Sequence, residues 1–268
     1  MPSSLLTLVA TPPSGRTRPV LIDADRYAAK VVLQGAPIPW TDIAALTNHV
    51  SMVTSLLGPD AVWVDAAAFY TAYVAASPGL AAAMGARSRT GFPMRTMLGD
   101  DDALESFSTT VRTIADATGR RVVLRAPSPA RWLCRTQTVV GKPIDDVDDD
   151  QADGASMYLA EWLGRLGSVP VAVMLLDGRP ADGDPVVSIT EGLTSYSALV
   201  NVASHFGWTL GIRDDATVEV GPGEPSVGIL PEAFWTTGAE VPECDVIVTT
   251  IPPSATPEDV LDRLVGLA

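Results

Sequence analysis

Asp23, Asp65, Arg125, Asp177 and Arg213 each close a short apolar run, and Arg26 and Arg179 follow two of those runs within three residues. In folds built on parallel strands, groups at the C-terminal strand ends line the ligand site. A set of this composition suits a small anionic molecule. A guanidinium grips a carboxylate through two parallel N–H donors, and an aspartate moves a proton. Asp177 and Asp65 are the expected proton-handling groups, with Arg125, Arg26, Arg179, Arg213 and Asp23 expected to bind the ligand. Asp177 carries the most weight among the carboxylates, because it ends the longest apolar run and the following Gly-Arg-Pro turn leaves it at the mouth. Loop ion pairs and helix caps are the structural alternative for every member of the set.

Other reactive side chains read as structural. His205 closes an apolar helical stretch, where a cation meets the helix C-terminus favourably. His49 lies beside the apolar stripe of its segment, and Cys134 has no base in sequence reach, so a buried, inert thiol is expected. No G-x-S-x-G elbow, G-x-G-x-x-G loop or Walker A motif is present. Trp40, Trp63, Tyr27, Phe69 and Tyr70 fall near the strand ends or loops, where they wall a pocket or pack in the core.

The elements that carry these residues follow from periodicity. Residues 19–23, 61–65, 121–126, 169–177, 208–213, 227–230 and 245–251 are near-continuous apolar runs, as strands covered on both faces should be. Helix patterns fall between them at 41–57, 100–118, 151–166 and 191–206, with stop signals at Gly58, Gly119, Gly167 and Gly207. The last helix has Thr256 as N-cap, Pro257 in its first turn and Glu258 and Asp259 beside them. Alternating strand and helix predicts a parallel sheet wrapped in helices, either a closed barrel or a doubly wound sheet. The acidic stretch 145–153 reads as a solvated loop entering a helix, since the glycine and terminal glutamate of a calcium loop are absent.

Composition narrows the function. The chain has 268 residues, 47% of them hydrophobic, enough for a large core in one domain. Its 18 basic and 32 acidic residues give a net charge of −14, which repels nucleic acid and anionic membranes. The N-terminal apolar stretch is about six residues long, too short for a signal core, and no run reaches the length of a membrane span. Two distant cysteines give no disulfide framework, so a reduced cytoplasm is the expected home.

The order of these elements resembles the uroporphyrinogen decarboxylase family and its relatives, the cobalamin-independent methionine synthases. Residues 18–30, with Asp25-Arg26-Tyr27, are similar to the family's first strand and its Gly-Arg-Tyr loop. Residues 49–70 resemble the helix and strand that bring its catalytic aspartate; that position falls at Ala67-Ala68 here, with Asp65 just before it. Residues 119–133, 169–180 and the closing strand and helix are similar to later family elements. The resemblance implies a single-domain, shortened and irregular (β/α)8 barrel over residues 1–268. It also implies a metal-free, cofactor-free lyase, decarboxylase-like, acting on a small carboxylated molecule other than uroporphyrinogen. The relatives' zinc site needs a His-x-Cys pair with a distant cysteine, and His49, His205, Cys134 and Cys244 do not supply it. Two alternatives stay open: methyl or alkyl transfer to a thiol with a corrinoid or zinc partner, and a non-catalytic subunit of a larger complex. A homo-oligomer or protein partner is compatible with either. On this reading Asp177→Asn and Arg125→Met each abolish turnover and leave folding intact.

Overall fold

A computed structural model describes residues 3–181, 183–185 and 187–267. Its strands are β1 (Val20–Asp23), β2 (Ala61–Asp65), β3 (Arg121–Pro127), β4 (Val171–Asp177), β5 (Thr209–Arg213), β6 (Val218–Val220), β7 (Val227–Leu230) and β8 (Val246–Thr250). The expected strands are present within two residues at each end. β6 is an addition. A tight turn around Asp214, whose carboxylate accepts from the Ala216 and Thr217 amides, sends it back antiparallel to β5, in a stretch where the sequence pattern names no element.

The strands form two sheets, β1-β8-β7 and β2-β3-β4-β5-β6, parallel throughout except for the β5–β6 pair. The expected closed barrel is not found: among the described residues no ladder joins β1 to β2 or β6 to β7. At the first gap Asp60 takes the place of ladder bonds. Its amide donates to the Val20 carbonyl, and its fully buried carboxylate accepts from the Val20 and Ser14 amides, each at 2.8 Å.

The helices are α1 (Ser4–Ala10), α2 (Asp25–Val31), α3 (Ile43–Leu57), α4 (Ala66–Ala76), α5 (Pro78–Gly85), α6 (Phe92–Leu98), α7 (Asp101–Thr118), α8 (Pro129–Val139), α9 (Asp149–Leu166), α10 (Ser197–Phe206) and α11 (Pro257–Val265). Their ends follow the sequence signals. Side chains of Asp42, Asp100, Asp148 and Thr256 cap α3, α7, α9 and α11, and Gly58, Gly119 and Gly207 end α3, α7 and α10 in the left-handed conformation. The stretch 191–206 does not run as one helix; a short 3-10 turn at Leu193–Ser195 precedes α10. At eight and seven residues, α5 and α6 are too short for their periodicity to be read.

Alternate strand residues part to two sides. Val62, Val64, Val122, Leu124, Met174, Leu176, Leu210 and Ile212 join the largest core under the helices, together with the aromatic group Phe69, Tyr70, Phe107, Trp132 and Trp162. Leu21, Ala61, Trp63, Val123, Ala172, Leu175, Val218, Val246 and Val248, drawn from both sheets, meet Leu5 and Leu8 of α1 in a separate cluster. That second set is the inward face. Continuing its alternation to the C-terminal strand ends places Asp23, Asp65, Arg125, Asp177, Arg213 and Thr250 in one inward layer.

Candidate active site

Arg125 is the centre of the layer. Its Nη1 donates to Asp23 Oδ2 at 2.5 Å, its Nη2 to Asp65 Oδ2 at 2.7 Å and Asp25 Oδ2 at 3.3 Å, and its Nε to Asp65 Oδ2 at 3.1 Å. β2 and β3 align Asp65 with Arg125, so that pair follows from strand register. Asp23 and Asp25 arrive from the opposite sheet, so the guanidinium clasps the unladdered β1–β2 gap. Beneath it the Trp63 ring lies 5.5 Å from the guanidinium carbon, a cation–π contact. Burial alone would weaken the Arg125 charge, but Asp23, Asp65 and Asp25 outweigh it and hold the group firmly protonated.

Three carboxylates on one guanidinium leave an excess of negative charge. Burial, with the charge of Asp23 next and that of Asp65 also contributing, pushes the Asp25 carboxyl up to about 7 against the pull of Arg125. Its side chain remains 25% exposed, so solvent can reach it. Near neutral pH this group is poised between donor and acceptor of a proton.

Asp177 and Arg179 form the second unit. Arg179 Nε and Nη2 donate to the two Asp177 oxygens at 2.8 and 2.7 Å, and the Arg179 amide donates to Oδ1 at 3.2 Å. Burial would raise the Asp177 carboxyl; the Arg179 fork overrides this and holds it below the usual carboxylate range. A cavity of about 300 Å³ is lined by Asp65, Arg125, Arg135, Asp177, Arg179 and Asp215, among others. Arg135 is tied to Asp184 by a two-point contact of 2.7 and 3.0 Å.

Arg213 differs from every other guanidinium of the layer. It is 5% exposed, and its Nε and Nη1 are buried with no hydrogen-bond partner among the described residues. Burial, reinforced by the like charge of Arg179, lowers its pKa. Two further buried polar atoms without partners belong to inward-facing side chains: Trp63 Nε1 on β2 and Thr250 Oγ1 on β8.

The structure thus brings Asp23, Asp65, Arg125, Asp177, Arg179 and Arg213 to one end of the strands, as the strand-end rule expects. Arg26 is the exception. It is exposed on α2, because the helix starting at Asp25 turns Tyr27 and Ala28 into the core and leaves residue 26 outside. Arg125 is also not free to grip a ligand, since carboxylates of the chain already occupy its donors. Asp25 was missed; the available signal was its Asp-x-Asp spacing from Asp23 just past a strand.

The remaining candidates are structural. His205 is exposed in the last turn of α10 against Phe206, and His49 is 4% exposed with its pKa lowered by burial. The Cys134 thiol is buried and pushed up by that burial, which disfavours the thiolate. Tyr27, Phe69 and Tyr70 are core, and Trp40 packs half-buried against it. Among the described residues no three His, Cys, Asp or Glu side chains stand as a metal-binding group; the Arg125 guanidinium stands between the three aspartates. No described helix is long and apolar enough to cross a membrane. Comparison with protein-family models, curated proteins and solved structures finds none that matches the chain.

Proposed function

We propose that this protein is a lyase that removes a carboxyl group from a small carboxylated molecule, with Asp25 supplying the proton. The observation that carries the reading is Asp25 held near neutrality beside Arg125, which itself lines the 300 Å³ cavity. The proton role passes from Asp177 and Asp65 to Asp25 for a physical reason. Asp177 is locked ionised by Arg179, and Asp65 is spent on Arg125 and on capping α4 through the Ala68 amide.

The reaction balances as follows. The bond from carbon to the carboxylate breaks, its electron pair stays on the substrate carbon, and carbon dioxide leaves. Asp25 gives its proton to that carbon and regains one from water. The substrate must therefore carry a carbonyl or conjugated ring that accepts the pair until the proton arrives. Arg125, Arg135 and Arg179 line the cavity beside Asp65, Asp177 and Asp215, so its wall carries charges of both signs.

The resemblance to uroporphyrinogen decarboxylases supports the same class. On this reading the two sheets are arcs of one shortened, irregular (β/α)8-type barrel. Their shared inward cluster, and α1 packed into it, support that arrangement. The test is carbon dioxide release from a panel of small oxo- and arylcarboxylic acids, with wild type set against Asp25→Asn across pH 5–9. Release that falls as pH rises through about 7, and that is lost in Asp25→Asn, is expected. No release from any acid, or equal release by Asp25→Asn, would falsify the reading.

A further inference from the structure

Arg213, Trp63 and Thr250 share a property that nothing in the chain relieves. Each faces inward near the C-terminal end of its strand, and each holds buried polar atoms without a partner among the described residues. Buried polar groups are ordinarily satisfied, and a buried cation without a counterion is the costliest exception. Arg213 is flanked by Arg179 as well as Asp177, and Asp177 is already held by Arg179 in a two-point contact. Among the described residues no carboxylate forms an ion pair with it; Asp177 and Asp23 act on it only at longer range.

The three side chains are also chemically alike toward a ligand. A guanidinium and an indole N–H only donate, and a threonine hydroxyl can donate. They come from β5, β2 and β8, and each faces the interior, so the donors are drawn from both sheets. A planar oxyanion matches such a set, because an oxygen accepts from a guanidinium N–H and the anion still offers lone pairs to the other donors.

We infer that Arg213, Trp63 and Thr250 form an inward carboxylate subsite that anchors the ligand's anionic group beside the Arg125 cluster. The inference deepens the proposed lyase reading by assigning the ligand's resting contact, and it places that contact on a residue distinct from the proton donor. Arg213 is the binding residue, while Trp63 and Thr250 complete the acceptor's hydrogen bonds. An anion set on Arg213 lies close to the carboxylate cluster, so the subsite selects ligands with one acid group at this depth. Bulky or multiply charged anions gain less.

Acetate is the probe. In protein with 15N-labelled tryptophan, the indole resonance of Trp63, assigned by its loss in Trp63→Phe, reports the subsite directly. Acetate should shift that resonance saturably in wild type, at constant ionic strength set with chloride. Arg213→Met should abolish the shift, and Thr250→Val should weaken acetate binding by about tenfold, the loss expected for one buried hydrogen bond. Arg213→Met should also melt no lower than wild type in chloride, because it removes an uncompensated buried charge, so loss of acetate binding is not loss of folding. Phosphate, run in parallel, should compete poorly; tighter binding of phosphate would assign the subsite to tetrahedral anions and overturn the carboxylate assignment. An acetate shift that persists in Arg213→Met, no shift in wild type, or a crystal structure with only water joining the three side chains would each overturn the subsite. Asp25→Asn should retain the shift. A retained shift with unchanged carbon dioxide release would sink the lyase reading and leave the subsite standing.

Discussion

The two ends of the strands solve the same problem in opposite ways. At the N-terminal end, α1 is packed into the inward cluster, and the polar groups there are satisfied. Ser4 Oγ donates to the Ala172 carbonyl and accepts from the Thr209 amide, and Glu224 accepts from Ser3 and Thr209. Asp60, a fully buried carboxylate, receives two amide hydrogen bonds, with Arg16 3.7 Å away. At the C-terminal end the inward layer is charged, one guanidinium carries three carboxylates, and another carries none. Stability alone would favour the first arrangement at both ends. The difference supports placing the proposed site where polar groups are kept in deficit or excess.

Arg125→Met tests the crowded end and should have the largest effect. The sequence alone suggested that this substitution spares folding; the ion-pair geometry says otherwise. Removing the guanidinium leaves Asp23, Asp25 and Asp65 facing one another across the β1–β2 gap, at a cost of roughly 4 kcal/mol near neutral pH. Protonation relieves the repulsion, so the deficit against wild type should shrink as pH falls toward 4. Denaturant melts of both proteins at several pH values check this; a pH-independent deficit would show that packing against Trp63, and not charge, is what Arg125 supplies.

The quiet end has its own test. Asp60→Ala strands the Val20 and Ser14 amides and should cost about 3 kcal/mol, measured the same way. Because Asp60 sits at the opposite end from the layer, the surviving folded protein should bind acetate with wild-type affinity. A large loss of binding without a change in stability would break the division of labour between the ends.

Much of this division was legible in the sequence. A charge that ends an unbroken apolar strand cannot face the helices, so Asp23, Asp65, Arg125, Asp177 and Arg213 could be assigned to one layer from strand ends alone. What the chain pattern could not carry was who pairs with whom. Arg125 and Arg213 look equivalent as residues ending strands, yet one is saturated and the other is bare, because Asp23 and Asp25 approach from a neighbouring sheet. Asp25 was hidden for a related reason: it opens a helix, where an acidic residue ordinarily serves the helix dipole. The β5–β6 reversal was invisible because a three-residue strand has too short an alternation to read.

The smallest predicted effect sharpens the boundary of the layer. Arg26 is one residue from Asp25 and was read from sequence as a ligand-binding group, but α2 directs it to solvent. Arg26→Ala should leave the melting temperature within about 2 °C of wild type and leave the acetate-induced shift of Trp63 unchanged. The comparison with Asp25→Asn is the informative one, since adjacent positions on one helix turn then separate cleanly: one removes the proposed proton donor and the other removes a solvated charge. A loss of ligand binding in Arg26→Ala would mean that the layer extends past the strand ends onto the outer face of α2. Its charge balance would then have to count that guanidinium against the carboxylate excess around Arg125.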